Sequence, residues 1–187
     1  MLRLLSIIST VFVIMLLFCC TDDDEFDCQD HDFLPLALEN MWIYTDGQIT
    51  DTLGVFDTLR IDGELTYTFG PKSEGSPGYM RKIGTAIYQY GYVTPGGDDY
   101  IFDQPYVFVD FCAGAGTEWT VADWGTVQLF ARGVTLTVPA GTFENCVHLK
   151  FDAESEISEM WFAPDVGPVQ AKAVAGTIIQ ITEYTLN

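Results

Sequence analysis

Val134-Thr135-Leu136-Thr137-Val138-Pro139-Ala140-Gly141-Thr142-Phe143-Glu144-Asn145-Cys146-Val147-His148-Leu149-Lys150-Phe151 is the stretch that decides the fold. Val134, Leu136 and Val138 alternate with Thr135 and Thr137, and Val147, Leu149 and Phe151 alternate with His148 and Lys150. A period of two is the signature of a strand with one face buried and one wet. Pro139 cannot continue a ladder and Gly141 suits a turn, so the two runs read as a hairpin. Phe143 and Cys146 re-enter the core on this reading, and His148 falls on the wet face.

Working outward, the same grammar recurs. Turn signals stand at Asp46-Gly47, Asp62-Gly63, Gly75-Ser76-Pro77-Gly78, Pro95-Gly96-Gly97, Gly114-Ala115-Gly116, Ala140-Gly141 and Gly167-Pro168. The intervening runs are rich in Thr, Val, Ile, Tyr, Phe and Trp, residues that suit a pleated surface. Val55, Asp57, Leu59 and Ile61 alternate with Phe56, Thr58, Arg60 and Asp62, and Ile179 and Ile181 with Gln180 and Thr182. No stretch of ten residues carries a helical period; residues 34–40 are expected to form at most one turn. The aromatic run 100–111 is expected to be a central strand bent near Pro105. The expected architecture is all-β: a single antiparallel, strongly curved sheet of about ten strands, forming a half-barrel or barrel. The prolines and glycine of Ala163-Pro164-Asp165-Val166-Gly167-Pro168 are expected to fix a tight link between strands at 157–162 and 169–174.

The N-terminus has a different composition. Arg3 precedes an apolar run over residues 4–18, then Cys19-Cys20, then Thr21-Asp22-Asp23-Asp24-Glu25. The run is shorter than the roughly 20 residues of a membrane span and fits the core of a secretory signal. It resembles a bacterial lipoprotein signal, with Leu17 three before Cys20 and the small Cys19 just before it. Cys20 is therefore the expected lipidation site; Cys19, with Phe18 before it, is the alternative, and an uncleaved apolar anchor is another. The division expected is 1–19 signal peptide, 20–32 acidic tether and 33–187 all-β domain. Seven carboxylates in residues 22–32, with no base among them, cannot bury apolar area and should stay extended. A cysteine followed by acids also resembles the export signal of surface-exposed Bacteroidota lipoproteins. That places the chain on the outer membrane facing the medium, with the periplasmic face as the alternative.

After removal of residues 1–19 the chain carries 27 acids against 7 bases. Nucleic acid is excluded as a partner, because phosphate binding needs clustered Lys and Arg. Membrane attachment is left to the N-terminal lipid. Of the remaining cysteines, Cys28 lies in the tether, so Cys112–Cys146 is the expected pair if a bridge forms, with two buried thiols as the alternative.

Several motifs resemble a family together. Asp32-Phe33-Leu34-Pro35-Leu36 with Asn40-Met41-Trp42-Ile43-Tyr44 resembles the opening F-x-P-L…N-x-W-x-Y of secreted Bacteroidota lipoproteins. Residues 139–147 resemble their P-A-G-T-F-x-N-C-V hairpin, and residues 161–169 their W-F-A-P-x-V-G-x-V segment, with Asp165 where Gly is usual. The resemblance implies an open antiparallel half-barrel. It carries no assigned reaction.

Catalytic constellations fail early. Glu74-Gly75-Ser76-Pro77-Gly78 lacks the first glycine of a nucleophile elbow, and Gly114-Ala115-Gly116-Thr117 lacks the nucleotide-loop pattern. His31 stands among Cys28, Asp30 and Asp32, a set that could hold metal only if ordered. Asp98, Asp99 and Asp103, and Glu154, Glu156 and Glu159 before Trp161, are the carboxylates open to glycan hydrolysis; Asp98-Asp99 and residues 22–25 are those open to calcium. No cofactor is implied. The function expected is a non-catalytic, lipid-anchored envelope module that binds or scaffolds a protein or glycan. A carrier of a hydrophobic ligand, with Trp42, Tyr67, Phe69, Tyr88, Tyr90 and Trp161 facing a cavity, is the second reading; a glycan hydrolase is the third.

Overall fold

The computed structural model describes residues 26–72, 75–121, 125–152 and 157–187. The signal, Cys19, Cys20, the acids 22–25, Glu74, Glu154 and Glu156 lie outside the described residues. The chain is all-β. Twelve strands run β1 (Met41–Thr45), β2 (Thr50–Ile61), β3 (Glu64–Pro71), β4 (Gly78–Ile83), β5 (Ala86–Val93), β6 (Asp99–Asp110), β7 (Glu118–Val121), β8 (Gly125–Val138), β9 (Gly141–Phe151), β10 (Ile157–Ala163), β11 (Gly167–Ala173) and β12 (Ile178–Thr185). They form one sheet in the order β6-β5-β4-β3-β2-β1-β12-β11-β10-β9-β8-β7. All pairings are antiparallel, and the sheet curls until it is nearly a closed barrel. The first and last strands meet in the middle, with Trp42 opposite Tyr184, while the edges β6 and β7 are consecutive in sequence.

Two more strands are present than the turn signals predict. The β4–β5 and β11–β12 turns carry single glycines, Gly84 and Gly176, and the β7–β8 and β9–β10 links carry none of the turn signals. The β8–β9 hairpin forms where expected: Val138 is buried, Pro139 and Ala140 make the turn, Gly141 opens β9 opposite Val138, and Val147, Leu149 and Phe151 are in the core. Residues 100–111 do form a strand bearing Pro105, but at the edge of the sheet and not in its centre. An edge is where a residue without an N–H donor is tolerated.

The clean alternation of β2 hides a change of face. A register shift between Val55 and Asp57 inserts one residue, which turns every later side chain over. Val55 is therefore in the barrel core, while Ile61 packs outside it with Tyr79 and Tyr90 in a second, smaller cluster. Arg81 on β4 fastens that cluster. Its guanidinium lies 4.2 Å above the Tyr90 ring and donates to the carbonyls of Ile61 (3.0 Å), Glu64 (3.2 Å) and Leu65 (3.1 Å). The Thr66 hydroxyl (2.8 Å) and the Tyr90 hydroxyl (3.1 Å) take its other donors.

Inside the barrel the core is continuous, running from Phe33 and Leu34 through Trp42, Phe69 and Ile87 to Leu129, Leu149 and Phe162. The lead-in 34–40 turns at Leu38 and Glu39, not as a helix. Asn40 holds it, donating to the Pro35 carbonyl (2.8 Å) and accepting from the Asn187 amide (2.8 Å).

Arg81→Lys should lower unfolding stability by about 1–3 kcal/mol in urea titration, since an ammonium cannot reproduce the guanidinium fork. Retained wild-type stability would show that the fork adds nothing.

Candidate functional site

The segment expected to be a free tether is fastened to the barrel from Phe26 onward. Its acids are used locally: the Asp27 carboxylate accepts from the Gln29 amide (2.9 Å) and starts a one-turn 3-10 helix, Cys28–Asp30. Phe26 stacks on His31 with centroids 4.6 Å apart and meets Phe33 edge-on. Phe33 stacks on Phe111 at 5.2 Å, and Phe111 meets Phe162 at 5.0 Å, so an aromatic series runs from this segment into the core.

Cys28 is bridged to Cys112, across 84 positions of sequence. This corrects the expected Cys112–Cys146 pairing, which rested on treating Cys28 as part of a solvated tether. Cys146 is a free thiol, fully buried on β9, and burial pushes its pKa up to about 11. It is protonated and inert at neutral pH.

Asp165, at the tip of the β10–β11 turn, completes the clasp. Its backbone is left-handed (φ 59°), which explains why a glycine suits the position. Its amide donates to the Asp32 carbonyl (2.8 Å), one carboxylate oxygen accepts from the Asp32 amide (2.9 Å), and the other meets His31 Nδ1 at 2.6 Å. Lys82 Nζ lies 3.1 Å from the Asp32 carboxylate. Burial works against ionisation of Asp165, but the Asp32 amide, His31 and Lys82 outweigh it and hold the carboxyl below its usual range. Between clasp and barrel lies a cavity of about 230 Å³ lined by Cys28, Gln29, His31, Phe33, Lys82 and Thr85, with Gly84 and Phe111 behind.

A second polar cluster sits on the outside of the sheet. His148 is buried, not on a wet face as expected, because Trp161 stacks on its ring at 4.2 Å and Phe130 meets it edge-on at 5.1 Å. His148 Nε2 is 2.8 Å from Glu159, whose other oxygen accepts from Lys172 at 2.7 Å. Burial lowers the His148 pKa despite the pull of Glu159. The ring is thus neutral at pH 7, and Lys172, not His148, chiefly keeps Glu159 ionised below its usual range.

The expected aromatics fall into separate environments. Trp42 is fully buried in the main core and donates to the Val166 carbonyl (2.6 Å). Phe69 is buried beside it, with Tyr67 partly buried against the same core. Tyr90 is buried in the outer cluster and Tyr88 packs against that cluster, while Trp161 covers His148. Of the acids considered, Asp99 accepts from the Tyr79 hydroxyl, and burial together with Asp99 raises the Tyr79 pKa. Among the described residues no group of three or more His, Cys, Asp or Glu is gathered as a metal would need.

No family model matches the sequence, and no curated protein matches it. Among solved structures the chain is similar to an exported protein with a YmcC-like fold from Bacteroides fragilis, at 13% identity and a TM-score of 0.45, covering 83% of this chain and 100% of that one. It is also similar to a lipoprotein from Parabacteroides distasonis, at 15% identity and a TM-score of 0.37, covering 83% of this chain and 99% of that one.

Two predictions follow from the clasp and the outer cluster. Asp165→Gly relieves the left-handed backbone but loses both carboxylate contacts; it should cost about 1 kcal/mol at pH 7, the exposed pair being screened. Because the native carboxyl titrates below its unfolded value, that contribution is lost on acidification, so wild type and variant should converge below about pH 4. Thermal unfolding of both across pH checks it; a gap that persists in acid would show that ionised Asp165 is not the source. For His148 the unfolded chain binds a proton that the native state resists, so stability should fall as pH drops from about 7 to 5. His148→Gln should flatten that slope in the same scans.

Proposed function

We propose that the chain is a non-catalytic module of the bacterial cell envelope, held at the outer membrane by lipid on Cys20 and facing the medium. The Cys28–Cys112 bridge is the observation that carries this reading. A structural disulfide needs an oxidising compartment, and this one lies eight residues after the cysteine of a lipoprotein-like signal. The clasp gives the bridge a purpose: pull applied at the anchor passes through it into β6 and the barrel, and does not peel the chain from its end.

The interior favours a module over a carrier. Ligand pockets for drug-sized molecules run about 300–1,000 Å³. The barrel interior is instead occupied by its own side chains, and the cavity at the clasp is smaller. The non-catalytic part of the reading is supported by the sequence, which has no nucleophile elbow, and by the engagement of Glu159 and Asp99 with neighbouring groups.

Intact mass spectrometry of the protein from membranes should find an acylated N-terminal Cys20, and Cys20→Ala should move the chain out of the membrane fraction. An unmodified Met1 would overturn the anchor. Native mass spectrometry should find the domain empty; lipid retained through repeated preparations would restore the carrier.

A further inference from the structure

The first half of β6 is built unlike any core strand. Residues 99–101 and 103–105 are exposed, and Phe102 alone is half-buried. Tyr100 and Ile101 point to opposite faces of the sheet, yet both are open to solvent, at 51% and 40%. Along one edge Asp99, Tyr100 and Ile101 pair with β5, while residues 102–105 bulge out between the Ile101–Gly91 and Tyr106–Gln89 pairs; among the described residues neither part has a strand on the other side. The neighbouring edge strand β7 is only four residues long, and its link to β6 is the Trp119 indole donating to the Phe108 carbonyl at 3.1 Å, far from residue 99. Residues 99–101 thus keep a short row of backbone donors and acceptors on their outer side, and the bulge at 102–105 carries it on as an overhanging arm. Pro105 closes that row at one end.

The arm has a chemical character. Tyr92, Tyr100, Phe102 and Tyr106 form a continuous aromatic series, with centroids 5.2 Å apart for Tyr92–Tyr100, 5.8 Å for Tyr100–Phe102 and 4.8 Å for Phe102–Tyr106. Asp98, Asp99 and Asp103 flank it. Between Lys82 and Arg132 the sequence holds six acids and no lysine or arginine, so both edge strands lack their own cations. Arg81 and Lys82, on β4, are engaged by Tyr90 and Thr66 and by Asp32.

We infer that the free edge of β6 over residues 99–101 is a docking edge for an extended, cationic segment of another protein, added as a further short strand beside the bulge at 102–105. Its backbone would pair with β6, and its Lys or Arg side chains would lie over Tyr100 and Phe102 and beside Asp98 and Asp103. Strand addition supplies main-chain hydrogen bonds, aromatic faces attract cations, and the acidic edge sets the sign of the partner. The same charges work against a second copy of this chain, which would set Asp99 and Asp103 against their own kind.

This names a partner for the module proposed above and rests on that reading, but its test is separate from that of the anchor. Fluorescence anisotropy would follow a labelled alternating peptide, (Lys-Val)5, added to the full chain at low salt. The equally charged (Lys-Pro)5, which lacks half the backbone donors, should bind about tenfold more weakly. Asp98→Asn/Asp103→Asn should weaken (Lys-Val)5 about fivefold without changing thermal stability, as should Tyr100→Ser. Glu144→Gln/Glu183→Gln, exposed acids on other strands, should leave it unchanged. Equal binding of the two peptides, or equal loss in the two acid pairs, would reduce the effect to general charge and overturn the inference. So would no binding at all, or binding of a neutral hexasaccharide at Tyr100 in its place. Each of those results would leave the lipid on Cys20 standing.

Discussion

The indole of Trp42 ties the barrel together across its interior. It is fully buried on β1, the strand at which the two halves of the sheet join, and it meets Phe69 of β3 edge-on with centroids 5.9 Å apart. Its Nε1 donates to the Val166 carbonyl in the β10–β11 turn. The ring comes so close to that turn that a Cβ on Gly167 would sit 3.0 Å from it, and Gly167 is held at φ 107°, where a side chain would be strained in any case. A sheet that begins and ends in its own middle has no covalent link across its interior, so a side chain must supply the cross-brace. Burial of one large aromatic, with its single polar atom satisfied, does so at little electrostatic cost.

The same turn reaches outward. Two residues before Gly167, Asp165 takes hold of Asp32 and His31, so the brace from β1 and the clasp on the N-terminal segment share the one three-residue turn at 164–166. Where a glycine would satisfy the left-handed backbone alone, aspartate accepts that backbone and adds two acceptors.

What the sequence made legible follows from how locally each signal acts. The β8–β9 hairpin and the proline-bounded turn at 164–166 are readable because alternation, Pro and Gly all operate within a few residues. The bulge in β2 is not, since the inserted residue leaves the period of two intact in the sequence while exchanging faces in space. The places of Cys28 and His148 are hidden in the sequence for a related reason. An acid-rich segment looks solvated when its carboxylates are counted, but Asp27 and Asp32 are consumed as hydrogen-bond acceptors, and Phe26 and Phe33 hold the chain down. His148 does lie on the face opposite Val147 and Leu149; only the neighbouring strands' Trp161 and Phe130, far off in sequence, bury it. The edge position of residues 100–111 could have been weighed from Pro105 alone, whereas an aromatic-rich run argued for the centre.

Chain direction sets the two surface features against each other. The clasp closes on β6 at its C-terminal end, through Phe111 and Cys112, and on the adjoining β4–β5 turn through Lys82, Gly84 and Thr85. The exposed arm occupies the N-terminal end of the same strand, beyond the turn at residues 94–98. Asp99 lies opposite Val93 and Asp110 opposite Ala86, so the ends of β6 are separated by on the order of 25 Å at ~3.3 Å per residue of β5. On the proposed anchoring, a pull at the clasp would draw the Cys112 end of β6 toward the membrane and turn the Asp99 end away from it. The chain's net charge of -19 would work in the same direction, since anionic headgroups would repel it and leave attraction to the proposed lipid. Disulfide, ion pairs and net charge would then act together to orient the barrel, with the outer edge of Asp99–Ile101, which pairs with no strand among the described residues, on the side away from the membrane.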